Sequence, residues 1–533
     1  MIKKQSNFTL QKLLVTFIIT TIVAMFAACN FTIDDKNSTQ NEFVAAETSN
    51  GHAINSAAND SSNTSEKSNP DTSNNDSSQQ ETIAQAKKLI DGYFYDEAIA
   101  LLETVKNNKE AIELQQKSEK LKNSLVKYEG RHYHVFFHSL IIDTAKAFDG
   151  DYMQQGYNMY MTTVSEFQKM LPLLLQENFI LYDITDMVEF RNGKAYPKDI
   201  YLPEGKKPLV LSIDDVNYYE YMKNDGFANR LDVDSDGNVV TIVKNKDGSE
   251  SVTYDGDVMP ILDAFVHEHP EFSWKGAKGI VAVTGYQGAF GYRITDYKKH
   301  SKDDINQMRE KVKEVASALR NTGWQIANHS YTHNRYWTEK TMTMGQLQYD
   351  IRRWLEEIAP YVGSTNIIIT PFGVTYDQKD PRFRYIIDSG FNIYCPVGAD
   401  MSMSWQKDNM MSSRLNLDGI TMLAYPKRIS RHFFEPSLVL DPSRPPLNME
   451  KNTKKSKRSV ETPINTPALP YDYENTTPIS KKESVEHIDN ELKPINSSQA
   501  TDYTTQIESN QIHLDNKKQQ NNNTNYENND FYQ

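Results

Sequence analysis

Short, continuous apolar runs recur through the middle of this 533-residue chain, at His134–Phe137, Phe179–Tyr182, Leu209–Ile213, Gly279–Val283, Trp324–Ala327, Asn366–Ile369, Phe391–Cys395 and Thr421–Ala424. A strand with one wet face alternates apolar and polar residues, so unbroken runs predict strands covered on both faces. Amphipathic stretches separate several of them. Ile305, Met308, Val312, Val315 and Leu319 form one stripe over Ser301–Arg320, opened by a Ser301/Asp304 capping box and stopped at Gly323. Leu347, Ile351, Leu355 and Ile358 form another, ended by Pro360. Strand–helix alternation over about 300 residues predicts a parallel α/β sheet, open or closed, and eight runs fit a barrel. In a barrel the chemistry sits where the strands end.

The flanks have a different composition. Met1–Ala28 carries Lys3, Lys4 and Lys12, then 16 uncharged residues from Leu13, short of the roughly 20 that span a bilayer. The run ends Phe26-Ala27-Ala28-Cys29, which resembles a bacterial lipoprotein signal. That resemblance implies lipidation at Cys29 and an extracytoplasmic protein anchored to the membrane. Residues 29–80 and 441–533 are rich in Ser, Asn, Thr, Asp and Gln, with too little apolar surface to offset chain entropy, so a disordered tether and tail are expected. The tail holds a basic cluster, Lys451, Lys454, Lys455, Lys457 and Arg458. Residues 81–128 have helical periodicity, and their Gly92-x-x-Tyr95-x-x-Ala98 pattern resembles a single tetratricopeptide-like hairpin, expected to be structural. The body is expected at 131–435. A net charge of −13, from 58 Lys+Arg against 71 Asp+Glu, with no basic stripe, argues against a nucleic-acid partner. Two cysteines exclude a disulfide framework, and Cys395 reads as a packed thiol.

The strand ends concentrate titratable groups. Leu209–Ile213 runs directly into Asp214-Asp215, two carboxylates that cannot both be cheaply ionised without a cation. Trp324–Ala327 leads through Asn328 into His329-Ser330-Tyr331-Thr332-His333. Histidines four apart lie on one face of a helical turn, close enough to share an ion. One carboxylate with two imidazoles is a catalytic zinc set with an open position, and the second carboxylate is left free as a base.

Ser212-Ile213-Asp214-Asp215 and His329-Ser330-Tyr331-Thr332-His333 resemble the first two motifs of the NodB-homology polysaccharide deacetylases, carbohydrate esterase family 4, and Thr370-Pro371-Phe372-Gly373 resembles the third. Upstream, Phe136–Leu140, Met161–Phe167 and Glu177–Leu181 look like the front of the poly-N-acetylglucosamine deacetylase branch. The resemblance covers about residues 133–430 and implies a distorted (β/α) barrel that removes acetyl groups from an N-acetylhexosamine polysaccharide. It further implies that Asp215, His329 and His333 hold a divalent ion, usually zinc, that Asp214 is the general base, and that the Phe372 N–H stabilises the oxyanion. Substrate contacts are expected at Tyr331, Pro371, Phe372, Gly373 and Trp337, with Tyr218, Tyr219, Tyr286 and Trp405 as further stacking candidates.

The chain departs from the family pattern twice. Ile369 stands where many members carry an arginine that orients the base. No histidine lies in Thr421–Arg428, where the late Leu-x-His motif with the general acid belongs, which leaves His138 and His432 as candidates. A deacetylase-like protein that binds envelope polysaccharide without cleaving it is therefore the alternative. Asp232-x-Asp234-x-Asp236-Gly237 resembles half a calcium loop, but Val243 occupies the twelfth position, so a hairpin turn is expected.

Overall fold

The computed structural model describes residues 70–337, 341–398 and 400–447. The signal segment, Cys29, most of the tether and the tail beyond 447 lie outside them. A helix begins at Pro70, inside the stretch expected as a tether.

Six parallel strands follow one another in space as they do in sequence: β1 (Tyr133–Phe137), β2 (Lys207–Ile213), β3 (Ile280–Val283), β4 (Gln325–Asn328), β5 (Ile367–Ile369) and β6 (Ile393–Cys395). β7 (Met410–Ser413) pairs in parallel with β6, and the chain continues through Arg414 into β8 (Leu415–Asn416), parallel to β1. Leu415 lies opposite Val135, and Arg414 bridges Val397, so the segment 410–416 joins last strand to first and closes the barrel. Phe179–Leu181 pairs with the start of β2 and bridges Ser273 through Leu181, a wedge that makes the barrel irregular.

One expected strand is absent. Thr421–Ala424 lies in a short helix, Gly419–Ala424, capped by the Asp418 side chain on Thr421 N–H. The closing strand is instead the polar Met-Met-Ser-Ser-Arg-Leu-Asn, whose inward Ser412 and Arg414 interrupt the apolar run that marks the other strands.

Alternation along the strands sorts the core into two layers. Val135, Phe137, Leu209, Leu211, Ile213, Val281, Ile326 and Ile368 face outward onto helices that present Phe167, Met170, Leu171, Val312, Leu319, Ile351 and Trp354. Val210, Ile280, Ala282, Ala327, Ile367, Ile393, Cys395 and Met410 belong to a separate cluster that also takes in Leu89, Ile90, Tyr93, Tyr95 and Ala98. Leu89 and Ile90 come from helix α1 (Pro70–Asp91), Tyr95 and Ala98 from α2 (Tyr95–Leu102) and Tyr93 from the turn between them; with α3 (Lys109–Asn123) these helices cover the end where the strands begin. The expected hairpin is thus a three-helix plug. Tyr93 is its anchor, stacked 5.0 Å from Trp274 and donating its hydroxyl to Glu271 O at 2.8 Å.

Two boundaries need correction or definition. The segment after the first motif forms a three-stranded antiparallel sheet, Arg230–Val233, Val239–Lys244 and Glu250–Thr253. Asp234 accepts from Asp236 N–H and Asn238 N–H, and Gly237 takes φ 85°, which forms the turn between the first two of these strands. At the other end the body runs past 435. Residues 441–447 pack back on it, with Arg444 and Glu166 both buried as an ion pair.

Candidate metal centre

The carboxyl ends of β2 and β4 lie one strand apart across β3, which brings their loops together. Asp215 Oδ1 lies 3.7 Å from His329 Nε2 and 3.6 Å from His333 Nε2, and one ligand atom of each residue falls within 4.8 Å of the others. The three form the one such group holding a possible metal among the described residues. Asp215 and His329 are buried, and His333 is partly open.

Each side chain is aimed by a specific contact. His329 Nδ1 sits 2.8 Å from Ile369 O; a carbonyl only accepts, so the proton is on Nδ1 and Nε2 keeps its lone pair for an ion. Tyr219 donates its hydroxyl to Asp215 Oδ1 at 2.5 Å. Asp215 and His333 both hold positive φ, 56° and 42°, backbone conformations that L side chains adopt at a cost and that the surroundings must enforce. Burial pushes the His333 ring down to about 4, against the pull of the Asp215 charge, so at neutral pH it is a neutral ligand and not an ion-pair partner. Burial raises the Asp215 carboxyl, but the surrounding His333, His329 and His138 imidazoles and the Tyr219 hydrogen bond outweigh it and leave it lowered.

The histidine pair does not lie on a helical turn. Residues 329–334 form a loop in which Ser330 has φ 71°, and Asp350 on the helix Met344–Glu357 pins it. Asp350 accepts from Tyr331 N–H at 2.7 Å, Thr332 N–H at 2.9 Å, the Thr332 hydroxyl at 2.6 Å and the Trp337 indole at 3.2 Å. Four donors on one buried carboxylate do for this loop what helical hydrogen bonds would have done.

Asp214 turns into the barrel interior. Arg414 grips it with two parallel bonds, 2.6 Å to Oδ1 and 3.0 Å to Oδ2, and is itself fully buried. Burial raises the Asp214 carboxyl, and the Arg414 charge and hydrogen bonds with the His329 charge overcome that, bringing it down to about 2. Arg414 also donates to Ser212 Oγ at 3.1 Å, and Ser212 contacts His134 Nε2 at 3.1 Å, whose Nδ1 meets Ser412 Oγ at 2.9 Å. The cation absent at Ile369 is therefore supplied by the closing segment, separated from Ile369's strand by β6. Sequence reading missed it because that strand was not recognised; a lone arginine within an otherwise uncharged stretch, Met410–Asn416, was the signal available.

His138 and His432 part company. His138, one residue past β1, places Nδ1 3.1 Å from Tyr160 O and is an electrostatic neighbour of Asp214, Asp215, His333 and the buried Asp418. His432 packs on Tyr133 at the opposite end of β1 and contacts Asp400 and Arg131, away from the metal ligands. Phe372, 38% exposed, holds φ 56° and sets its ring 4.8 Å from that of His333. Pro371 is buried, and Gly373 at φ 67° has no room for a Cβ beside Val397. The aromatics divide. Trp337 is fully buried, its N–H on Asp350, so it is a core residue without a face for substrate. Tyr218 is buried on Asp257, Tyr219 on Asp215, and Trp405 donates to Met187 O. Tyr331 sends its hydroxyl to Glu357 at the end of the helix Met344–Glu357, while Tyr286 stays 48% exposed.

No family model matches the chain, and no curated protein does. Among solved structures it is similar to a de-N-acetylase from Aggregatibacter actinomycetemcomitans (14% identity, 54% of this chain and 96% of that one, TM-score 0.32). It is also similar to the Streptococcus pyogenes deacetylase PplD in complex with acetate (12%, 56% and 98%, 0.32) and to IcaB from Ammonifex degensii (12%, 55% and 94%, 0.30). With TM-scores of 0.32 or less and identities of 14% or less, it is the geometry of Asp214, Asp215, His329 and His333 that carries a functional reading.

Proposed function

We propose that this chain is a metal-dependent N-deacetylase of the NodB-homology type that hydrolyses acetamido groups of an N-acetylhexosamine polysaccharide outside the cytoplasm. The observation that carries the reading is the convergence of Asp215, His329 and His333 with a second, charged carboxylate, Asp214, beside them. Asp215 through Oδ1, and His329 and His333 through Nε2, would hold the ion, and one carboxylate with two imidazoles is a donor set that suits zinc. Such an ion, when bound, supplies a Lewis acid and lowers the pKa of a water to about 7.

The chain's own residues account for the remaining steps. Asp214, kept ionised by Arg414, takes the proton from the attacking water at a carboxylate oxygen. The Phe372 N–H donates to the acetamide oxygen as charge builds on it. With Nδ1 committed to Tyr160 O, His138 offers Nε2 to protonate the departing nitrogen. The C–N bond breaks, and acetate and a free sugar amine leave. The non-cleaving alternative rested on a missing arginine and a missing histidine; Arg414 beside Asp214 and His138 beside the metal ligands support catalysis instead. No helix of the described residues is long and apolar enough to cross a membrane, and attachment through a lipidated Cys29 is part of the proposal, tested by loss of metabolic palmitate labelling in Cys29→Ser. The functional test is acetate release from chitooligosaccharides, peptidoglycan and poly-N-acetylglucosamine. Release that chelator abolishes and zinc restores is expected; release unchanged in chelator would contradict the mechanism.

A further inference from the structure

The segment after the barrel, 441–447, ends in a clasp whose position is informative. Arg444 and Glu166 are 2% and 0% exposed, with Nε on Oε1 at 2.5 Å and an outer nitrogen on Oε2 at 2.7 Å. The same guanidinium donates to Asn158 O at 2.9 Å and to Met161 O at 2.7 Å. These are carbonyls at the end of the helix Gln154–Tyr160, where no further helical N–H is available to satisfy them. Between them lies Tyr160, whose own carbonyl accepts from His138 Nδ1. Asn158 returns a bond to Pro445 O at 2.8 Å, and Asp441 N–H donates to Glu166 Oε1 at 3.0 Å.

The clasp also lies against the start of the helix Gly419–Ala424. Gly419, next to Asp418, packs so closely that a Cβ there would fall 1.8 Å from Asn158 O and 2.5 Å from the Arg444 guanidinium. Thr162 Oγ1 donates to Leu417 O at 2.8 Å. One buried cation thus bonds carbonyls on both sides of Tyr160, whose own carbonyl meets the His138 ring, and lies close to Gly419, the neighbour of Asp418.

We propose that Arg444, clasped to Glu166, is a positioning residue for the general acid: it holds the 158–161 turn so that His138 Nε2 faces the departing nitrogen. This inference rests on the deacetylase reading. A positioning role for the acid has a signature that a general structural role lacks. Amide cleavage needs a proton on the leaving nitrogen, whereas 4-nitrophenyl acetate expels a phenolate that needs none. The test is therefore full-length, zinc-loaded Arg444→Gln assayed on both an N-acetylated glycan and 4-nitrophenyl acetate, with bound zinc measured alongside and His138→Gln setting the scale of the split. Because Arg444→Gln strands the Glu166 carboxylate, Arg444→Gln/Glu166→Gln is run beside it; glutamine keeps the helix-capping role of Glu166.

Amide kcat is expected to fall about tenfold or more, a fraction of the ~10²–10⁴ that a general acid contributes. Ester turnover and zinc content should stay within about threefold and unchanged, respectively. A parallel fall on both substrates, no fall on either, or loss of the fold in both variants would each overturn the proposal by making the clasp merely structural or dispensable. A wild-type chain that releases no acetate from any glycan would instead overturn the deacetylase reading, and that result is seen before the variants are compared.

Discussion

Arg414 and Asp214 lie buried with their charges cancelling, and removing the cation alone strands a carboxylate inside the barrel. Arg414→Met is expected to destabilise the fold by about 3 kcal/mol, as for other broken buried pairs. It should also lower kcat by about 10²-fold through misplacement of the base, with zinc content retained. Adding Asp214→Asn should restore the melting temperature without restoring activity; a double variant no more stable than the single would contradict the pairing argument. His333 gives a pH signature. Its folded-state pKa, about 4, lies below the ordinary 6.5, so folding favours the neutral ring. The stability this contributes is present in full above about 6.5 and disappears as pH falls toward about 4. Metal-free protein should therefore lose melting temperature through that window, and His333→Gln should flatten the loss.

Between residue and molecule, the elements show why some of the site was legible and some was not. Asp214-Asp215 and His329/His333 were visible because each motif follows directly on a strongly apolar strand, β2 or β4. The shape of the second motif was not visible: four-residue spacing reads as a helical turn, while the loop takes its form from Asp350, 17 residues beyond His333 in sequence. The closing strand was missed for a related reason. Strands are recognised by apolar runs, and in 410–416 the inward positions carry Ser412 and Arg414, which serve the base and not the core. Thr421–Ala424 was apolar enough to be mistaken for it. Trp337 was read as a sugar platform from its nearness in sequence to the histidines, but its indole belongs to the Asp350 anchor. Asp350→Ala is accordingly expected to weaken zinc binding about 10–100-fold, the usual cost of losing a group that orients metal ligands. Calorimetric titration would show this, and unchanged affinity would mean that the loop holds its shape without the anchor.

For the molecule as a whole, the two ends of the barrel have different work. The end where strands begin is sealed by the three-helix plug, whose Leu89, Ile90, Tyr93, Tyr95 and Ala98 join one apolar cluster with barrel residues. Tyr93→Ala should therefore cost about 3 kcal/mol, in the range for a large buried aromatic side chain, while leaving the zinc affinity unchanged. Thermal unfolding and zinc titration on one preparation would check both halves. The opposite end carries the polar groups, and every residue assigned a chemical role in turnover lies there. A single zinc-edge anomalous diffraction measurement on crystals grown with zinc tests this division most directly. The account predicts one strong peak about 2.0–2.2 Å from Asp215 Oδ1 and from the Nε2 atoms of His329 and His333. No peak between those three side chains, or zinc held elsewhere on the chain, would contradict it.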